Sequence, residues 1–246
     1  VQKGAMPFRF QINTSLDPAK LSQQFVDRGY ISIPGFLAGE GARALKTALA
    51  QRSDWHWAIS ADGNVYDLPP ETRAAMTEAQ CEELDRRIYA AARDKFQFRF
   101  SSVRVPDPVA DRQPETDILH AFAEFMRSEA VMAFLRIVAG RAAIRFADAQ
   151  ATAYHPGDFL TGHDDDVEGK SRELAYVMGL TENWRVEWGG LLLFHGSDGQ
   201  VNGLVPRFNC LNMFALPVMH SVSQVTPFAG EVRHTVTGWL RTAIPS

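Results

Sequence analysis

Cysteine is scarce: Cys81 and Cys210 are the two in 246 residues. Two thiols build no disulfide framework, zinc ribbon or iron–sulfur site by themselves, and a reducing, cytoplasmic setting is the simpler expectation. No run of about 18 apolar residues occurs, so no helix is expected to span a membrane. Charge of one sign is not in excess either. The balance of 25 basic against 29 acidic residues, net −4, gives no overall field to draw the chain onto nucleic acid or anionic lipid, and neither partner is expected. Repeats, low-complexity tracts and long charge runs are missing too. What is present is ordinary for a globular chain: 46% hydrophobic and 22% charged residues, with enough length to bury a core unaided. The stretch Val1–Met6 has no apolar signal core, and we expect one domain over residues 6–246.

The first half reads as a helical layer over about 15–140. Asp17-Pro18 opens a helix with Leu21, Phe25 and Val26 on its apolar face, and Gly29 closes it. Tyr30–Pro34 alternates like a strand, a second helix is expected from Gly39 to Arg52, and Trp55–Pro70 reads as an irregular loop. Thr77 caps a predicted helix to Phe96, and two more helices follow near 117–127 and 129–138, with Gly140 as the stop. From Ile144 the pattern changes to short apolar runs at 144–154, 173–180, 190–194, 210–216, 220–225 and 232–240, separated by turn residues. The expected fold is α+β: a closed or double-layer β architecture over 144–241, such as a jelly roll, with the N-terminal helices packed on it.

The densest chemistry is Gly157-Asp-Phe-Leu-Thr-Gly-His163-Asp164-Asp165-Asp166. On an extended strand His163 and Asp165 project to the same side, and together they can occupy two adjacent corners of a metal ion. A second histidine would complete two histidines and one carboxylate on one face of an octahedron, the donor set of non-haem Fe(II) oxygenases. His220, opening an apolar strand, is the leading third ligand. His195 competes, while His56, His120, His155 and His234 lack a supporting pattern. His-x-Asp alone also suits a solvated acidic turn. Downstream, Arg233, Thr235, Thr237 and Trp239 share one strand face, and Val232, His234 and Val236 the other. Either face can be the inner one. If the arginine faces inward, burial demands a carboxylate partner, which its planar fork suits.

Taken together, three ordered blocks resemble the prolyl 4-hydroxylase-like branch of the Fe(II)/2-oxoglutarate dioxygenases, close to bacterial members and ribosomal-protein prolyl hydroxylases. They are Tyr154-His-Pro-Gly157-Asp-Phe-Leu with His163-Asp-Asp165; Arg172 with Leu174–Leu180, Trp184 and Gly189-Gly190-x-Leu192-x-Phe194; and His220-x-Val222 with Gly230, Arg233-x-Thr235 and Trp239. The resemblance implies a double-stranded β-helix. It implies Fe(II) on His163, Asp165 and His220, and 2-oxoglutarate with its far carboxylate on Arg233, next to Tyr154, Thr235 and Thr237. Arg172 would sit at the pocket mouth, touching substrate or making a structural salt bridge. The implied reaction uses dioxygen to hydroxylate an unactivated C–H bond while 2-oxoglutarate is decarboxylated to succinate, with ascorbate in support. Its expected substrate is a prolyl residue in a protein or peptide, or else a free amino acid or other small metabolite. One departure stands out: where many relatives carry a tyrosine, this chain has Met178-Gly179, which would either enlarge the pocket or hand that side chain's task to Tyr154, Tyr176 or Thr235.

Two other classes compete. A catalytic zinc site can use the same donors, but no His-Glu-x-x-His helix occurs and Arg233 would have no purpose there. A jelly roll can also serve as a non-catalytic metal- or ligand-binding domain, since fold does not fix function. The intact ligand set plus Arg233 argues against that reading.

Overall fold

In the computed structural model, residues 8–61, 63–114 and 116–244 are described, so Val1–Met6 lies outside them. Helix α1 (Pro18–Arg28) is capped by the Asp17 carboxylate on the Ala19 and Lys20 amides and ends at Gly29, whose φ of 72° suits glycine. Its face differs from expectation: Phe25 is buried, while Val26 is exposed. Strand β1 (Tyr30–Pro34) and helix α2 (Gly41–Gln51) follow as the pattern predicts.

The segment expected to be a loop is instead a hairpin, β2 (His56–Ala61) and β3 (Asn64–Leu68). The sequence signal was Asp62-Gly63, a two-residue hairpin turn pair, and Gly63 takes φ 81°. After a short helix α3 (Pro70–Ala74), α4 (Glu78–Ala91) starts with the reciprocal capping of Thr77 and Gln80. It stops five residues before Phe96, because a strand not foreseen in the sequence, β4 (Phe98–Arg104), begins there. Phe96, Phe98 and Phe100 alternate with polar residues, a period-two pattern hidden behind the strong helix before it. Helices α5 (Ile118–Arg127) and α6 (Glu129–Ala139) match their predicted spans.

The second half is strand after strand: β5 (Phe146–Ala147), β6 (Gln150–Tyr154), β7 (Phe159–His163), β8 (Arg172–Gly179), β9 (Leu192–His195), β10 (Val201–Leu204), β11 (Cys210–Ala215), β12 (His220–Val222) and β13 (Arg233–Arg241). The turn between β9 and β10 is Ser197–Gly199, while the Asn202-Gly203 pair lies inside β10. All pairings are antiparallel, in the order β1-β11-β8-β13-β6-β4-β7-β12-β9-β10. Strand β4 pairs with both β6 and β7, so the sheet curls and its two halves face each other as a double-stranded β-helix. No described helix is long and apolar enough to cross a membrane.

Alternation along β8 shows how the layers divide. Leu174, Tyr176 and Met178 join the large core shared with α2, α5 and α6, whereas Ala175 and Val177 pack inside the barrel with Leu192, Phe194 and Phe214. On β13, Val236 and Leu240 go to the helix side. Arg233 and its face therefore turn inward, which decides the question the sequence left open. The β2–β3 hairpin extends the same curled sheet beyond β4. Its helix α4 is tied to the barrel by Arg99, which pairs with Asp85 at 3.0 Å and with buried Asp158 at 3.1 Å.

Candidate metal centre and cosubstrate pocket

Strands β7 and β12 lie side by side with His163 directly opposite His220. Cross-strand partners on one face are near neighbours, and the two rings sit 4.1 Å apart. Asp165 reaches them by a route the sequence did not foresee. Strand β7 ends at His163, and Asp165 lies beyond it with φ 60°. A left-handed residue, which aspartate tolerates, swings the carboxylate back toward the histidines; strand alternation is not the cause. The carboxylate oxygens stand 3.6 Å from His163 Nε2 and 3.4 Å from His220 Nε2. Asp164 turns away and accepts the Asp166 amide at 3.1 Å.

The ring nitrogens reveal what belongs between these groups. His163 Nδ1 donates to the Thr161 carbonyl at 3.0 Å, and His220 Nδ1 to the Val218 carbonyl at 2.8 Å. Each neutral ring then presents a bare Nε2 lone pair to its neighbours. Burial, and next the adjacent His220, push the His163 imidazole below its ordinary range, which favours that neutral form. Burial would raise the Asp165 carboxyl, but the adjacent His220 and then His163 hold it below the usual range. Two lone pairs and one carboxylate thus converge within 4.8 Å of one another. Acceptors facing acceptors are balanced by a cation, and the set fits Fe(II).

The same cavity, of about 120 Å³, runs from this cluster to Arg233. Arg233 is 3% exposed, and no carboxylate among the described residues reaches it. Its Nε has no hydrogen-bond partner, and its guanidinium lies 4.9 Å from the centre of the Tyr154 ring. Burial pushes this guanidinium below the ordinary arginine range. A buried cation without a counter-charge is costly, and a bound carboxylate would supply the partner. Tyr154 lines the cavity and stacks on Phe100. Thr237 lines it too, and donates to the Gln150 carbonyl at 3.4 Å. Thr235 is buried and shares a 2.5 Å hydrogen bond with Thr152, a cavity-lining residue the sequence reading missed although it sits two before Tyr154 on the same face. Tyr176 is not free to replace the missing tyrosine, since its hydroxyl donates to the Asp148 carbonyl at 2.6 Å. At Gly179 a side chain is excluded, because a Cβ would lie 2.2 Å from the Arg207 carbonyl oxygen.

Arg172 stands at the cluster's edge, paired with Asp165 at 3.7 Å. His195 is outside: Phe194 faces His220, so the next residue points away, and its Nε2 bonds Ser221 Oγ at 2.8 Å. The remaining histidines are also elsewhere; His56 pairs with Asp67, His155 with Asp158, and His120 accepts the Gln113 amide.

With this geometry in place, the likeness to known proteins is specific. The family model for the 2OG-Fe(II) oxygenase superfamily matches residues 149–241. The Drosophila melanogaster prolyl 3-hydroxylase sudestada1 is 32% identical over 108 residues, covering 38% of this chain and 20% of that protein. The chain spans about a fifth of the length of the curated relatives it matches. Among solved structures, a Pseudomonas putida prolyl-4-hydroxylase superposes with a TM-score of 0.58 at 20% identity, covering 91% of this chain and 98% of that one. A Trichoplax adhaerens prolyl hydroxylase in complex with a hypoxia inducible factor peptide fragment gives 0.58 at 16% identity, over 92% and 90%. Fold, ligand cluster and family match point the same way: residues 149–241 match the 2OG-Fe(II) oxygenase superfamily model, and the chain is similar in sequence and fold to prolyl hydroxylases.

Proposed function

We propose that this enzyme hydroxylates a prolyl residue within an extended peptide, using Fe(II) held by His163, Asp165 and His220 and 2-oxoglutarate anchored on Arg233. The observation that carries the reading is the buried, unpartnered Arg233 in one cavity with two histidines and a carboxylate. A zinc hydrolase or a passive binding domain has no use for that cation.

When bound, iron and 2-oxoglutarate supply the power to insert oxygen from dioxygen into a C–H bond, with succinate and CO2 released. The chain's residues do the rest. His163, Asp165 and His220 would hold the metal and leave coordination positions free for the cosubstrate and dioxygen. The Nδ1 bonds to Thr161 and Val218 fix both rings. Arg233 sets the depth and direction of the cosubstrate, beside Tyr154, Thr235 and Thr237. Leu192, Phe214 and Val222 give the cavity apolar walls that exclude water. Ascorbate would assist as an external reductant.

Space argues for a peptide. The inner cavity of about 120 Å³ is well below the ~300 Å³ at which drug-sized ligands begin to fit. A groove of about 550 Å³ adjoins it across Phe100, Gln150 and Trp239, walled by His56, Ala58 and Asp67 of the hairpin. The reacting side chain would enter past Trp239 while its flanking chain lies in the groove. The neighbouring peptide complex of the Trichoplax enzyme is consistent with this.

The test is turnover of Fe(II)-loaded enzyme with 2-oxoglutarate, ascorbate and either a mixed library of proline-containing peptides or free amino acids. We expect succinate release coupled to a one-oxygen mass gain on proline in a subset of peptides. Coupled hydroxylation of free amino acids alone would contradict the peptide assignment.

A further inference from the structure

The geometry points to Arg172 as a positioning residue: with Trp239 as its platform, it holds Asp165 in the conformation from which the carboxylate meets both histidines. The inference rests on the metal-centre reading above and adds a role to a residue that neither binds the metal nor needs to touch substrate.

Asp165 lies outside β7 in the left-handed region, φ 60°, which aspartate tolerates but strand pairing does not enforce. The two histidines and the Trp239 indole border its carboxylate, and these contacts leave its backbone unrestrained. Its neighbours Asp164 and Asp166 are exposed and bond each other. Arg172, the first residue of β8, supplies the missing restraint. Its Nη1 donates to the Asp165 main-chain oxygen at 3.2 Å and stands 3.7 Å from Asp165 Oδ1. One nitrogen thus addresses both the backbone and the carboxylate of the same ligand.

The guanidinium is itself pinned. Its Cζ lies 3.5 Å from the centre of the Trp239 ring, a face-on stack that a planar guanidinium makes and an ammonium does not. Trp239 is fixed in turn, since its main-chain N–H donates to buried Asp148 at 2.6 Å. The chain of restraint runs Asp148, Trp239, Arg172, Asp165, and it ends on a metal ligand. With one face covered by indole and Nη1 engaged, Arg172 makes a structural contact where the sequence allowed a substrate contact.

Charge and position make opposite demands, which gives the inference a sign. A cation beside Asp165 repels a divalent metal ion, so a bystander arginine would weaken metal binding and its removal would strengthen it. A positioning arginine strengthens binding, and its removal weakens it. Loss of such outer partners typically costs 10–100-fold in metal affinity.

Anaerobic titration of the apoprotein with Co(II), read by calorimetry and by the ligand-field absorption of the bound ion, separates these cases. We expect Arg172→Gln and Arg172→Lys both to bind roughly 10–100-fold more weakly than wild type, with an altered ligand-field band. Far-ultraviolet circular dichroism of the apoproteins should be unchanged. Trp239→Phe, which keeps a platform, should retain more affinity than Trp239→Leu. Undiminished or tighter Co(II) binding in the folded Arg172 variants would overturn the clamp alone. If wild type bound no Co(II), or His220→Ala bound it equally well, the metal-centre reading would fall and the clamp with it.

Discussion

Arg233 concentrates the logic of the site in one residue. A guanidinium 3% exposed with no carboxylate beside it is costly in the empty pocket, and on the proposed reading an entering dicarboxylate would offset that cost. Truncating one member of such a buried pair usually costs about 2–5 kcal/mol. Arg233→Gln should therefore weaken 2-oxoglutarate binding to the metal-loaded protein by roughly 30-fold or more while Co(II) affinity stays within about twofold. Calorimetric titration checks both. At this scale the sequence was largely legible: His163, Asp165, His220 and Arg233 were all marked by residue type and order. The route by which Asp165 arrives was not, because a left-handed aspartate looks like any other aspartate in a sequence. Nor was Thr152 seen, although its spacing from Tyr154 placed it on the same strand face.

Strand β13 shows how an element serves two layers at once. Its inner face carries Arg233 and Trp239, while Val236 and Leu240 are in the helix-side core. Between them Gly238 allows close approach, since a Cβ there would lie 2.0 Å from the Asp148 carbonyl oxygen and 2.7 Å from Tyr176 Cε1. Backbone cannot yield as a side chain can, so Gly238→Ala should cost at least about 1–3 kcal/mol in urea unfolding. The same strand carries His234 beside Trp55, its imidazole pushed down to about 4, chiefly by burial. Its pKa in the unfolded chain is near 6.5, so above that pH neither state is protonated and stability is unaffected. Between pH ~6.5 and ~4 only the unfolded chain takes up the proton, and stability falls as pH falls, by up to ~3 kcal/mol. His234→Gln should remove most of that share, as urea unfolding at pH 7 and pH 4.5 would show. The element level was read unevenly. Strongly periodic helices and apolar strands were clear, whereas β2, β3 and β4 were hidden. In β2 and β3 polar residues such as His56 and Asp67 line the groove and weaken the alternation that betrays a strand, whereas the alternation of β4 follows directly on a strong helix.

At the scale of the molecule, the helical layer and the hairpin have different tasks. Helices α2, α5 and α6 bury the outer face of the sheet, while the hairpin and β4 build the groove beside the metal cavity and α4 backs the hairpin. Arg99 joins that second unit to the barrel through Asp85, Asp158 and the Tyr89 hydroxyl. Removing one partner of a buried network leaves the others uncompensated, so Arg99→Met should destabilise the protein by about 3–5 kcal/mol. Thermal unfolding followed by tryptophan fluorescence would report it, because Trp57 packs under the same guanidinium at 5.5 Å. The jelly roll and its helical cover were legible in composition and turn spacing. The strands that wall the groove were not, since β4 joins strands from the two halves of the chain.

The central claim is that one cavity holds Fe(II) on His163, Asp165 and His220 and 2-oxoglutarate on Arg233. Its most direct test is anaerobic addition of Fe(II) and then 2-oxoglutarate to the apoprotein, watching for the visible metal-to-ligand charge-transfer band. The expected result is a band in wild type that vanishes in His220→Ala and needs far more 2-oxoglutarate in Arg233→Gln. Wild-type protein that binds Fe(II) but develops no band at saturating 2-oxoglutarate would contradict the account.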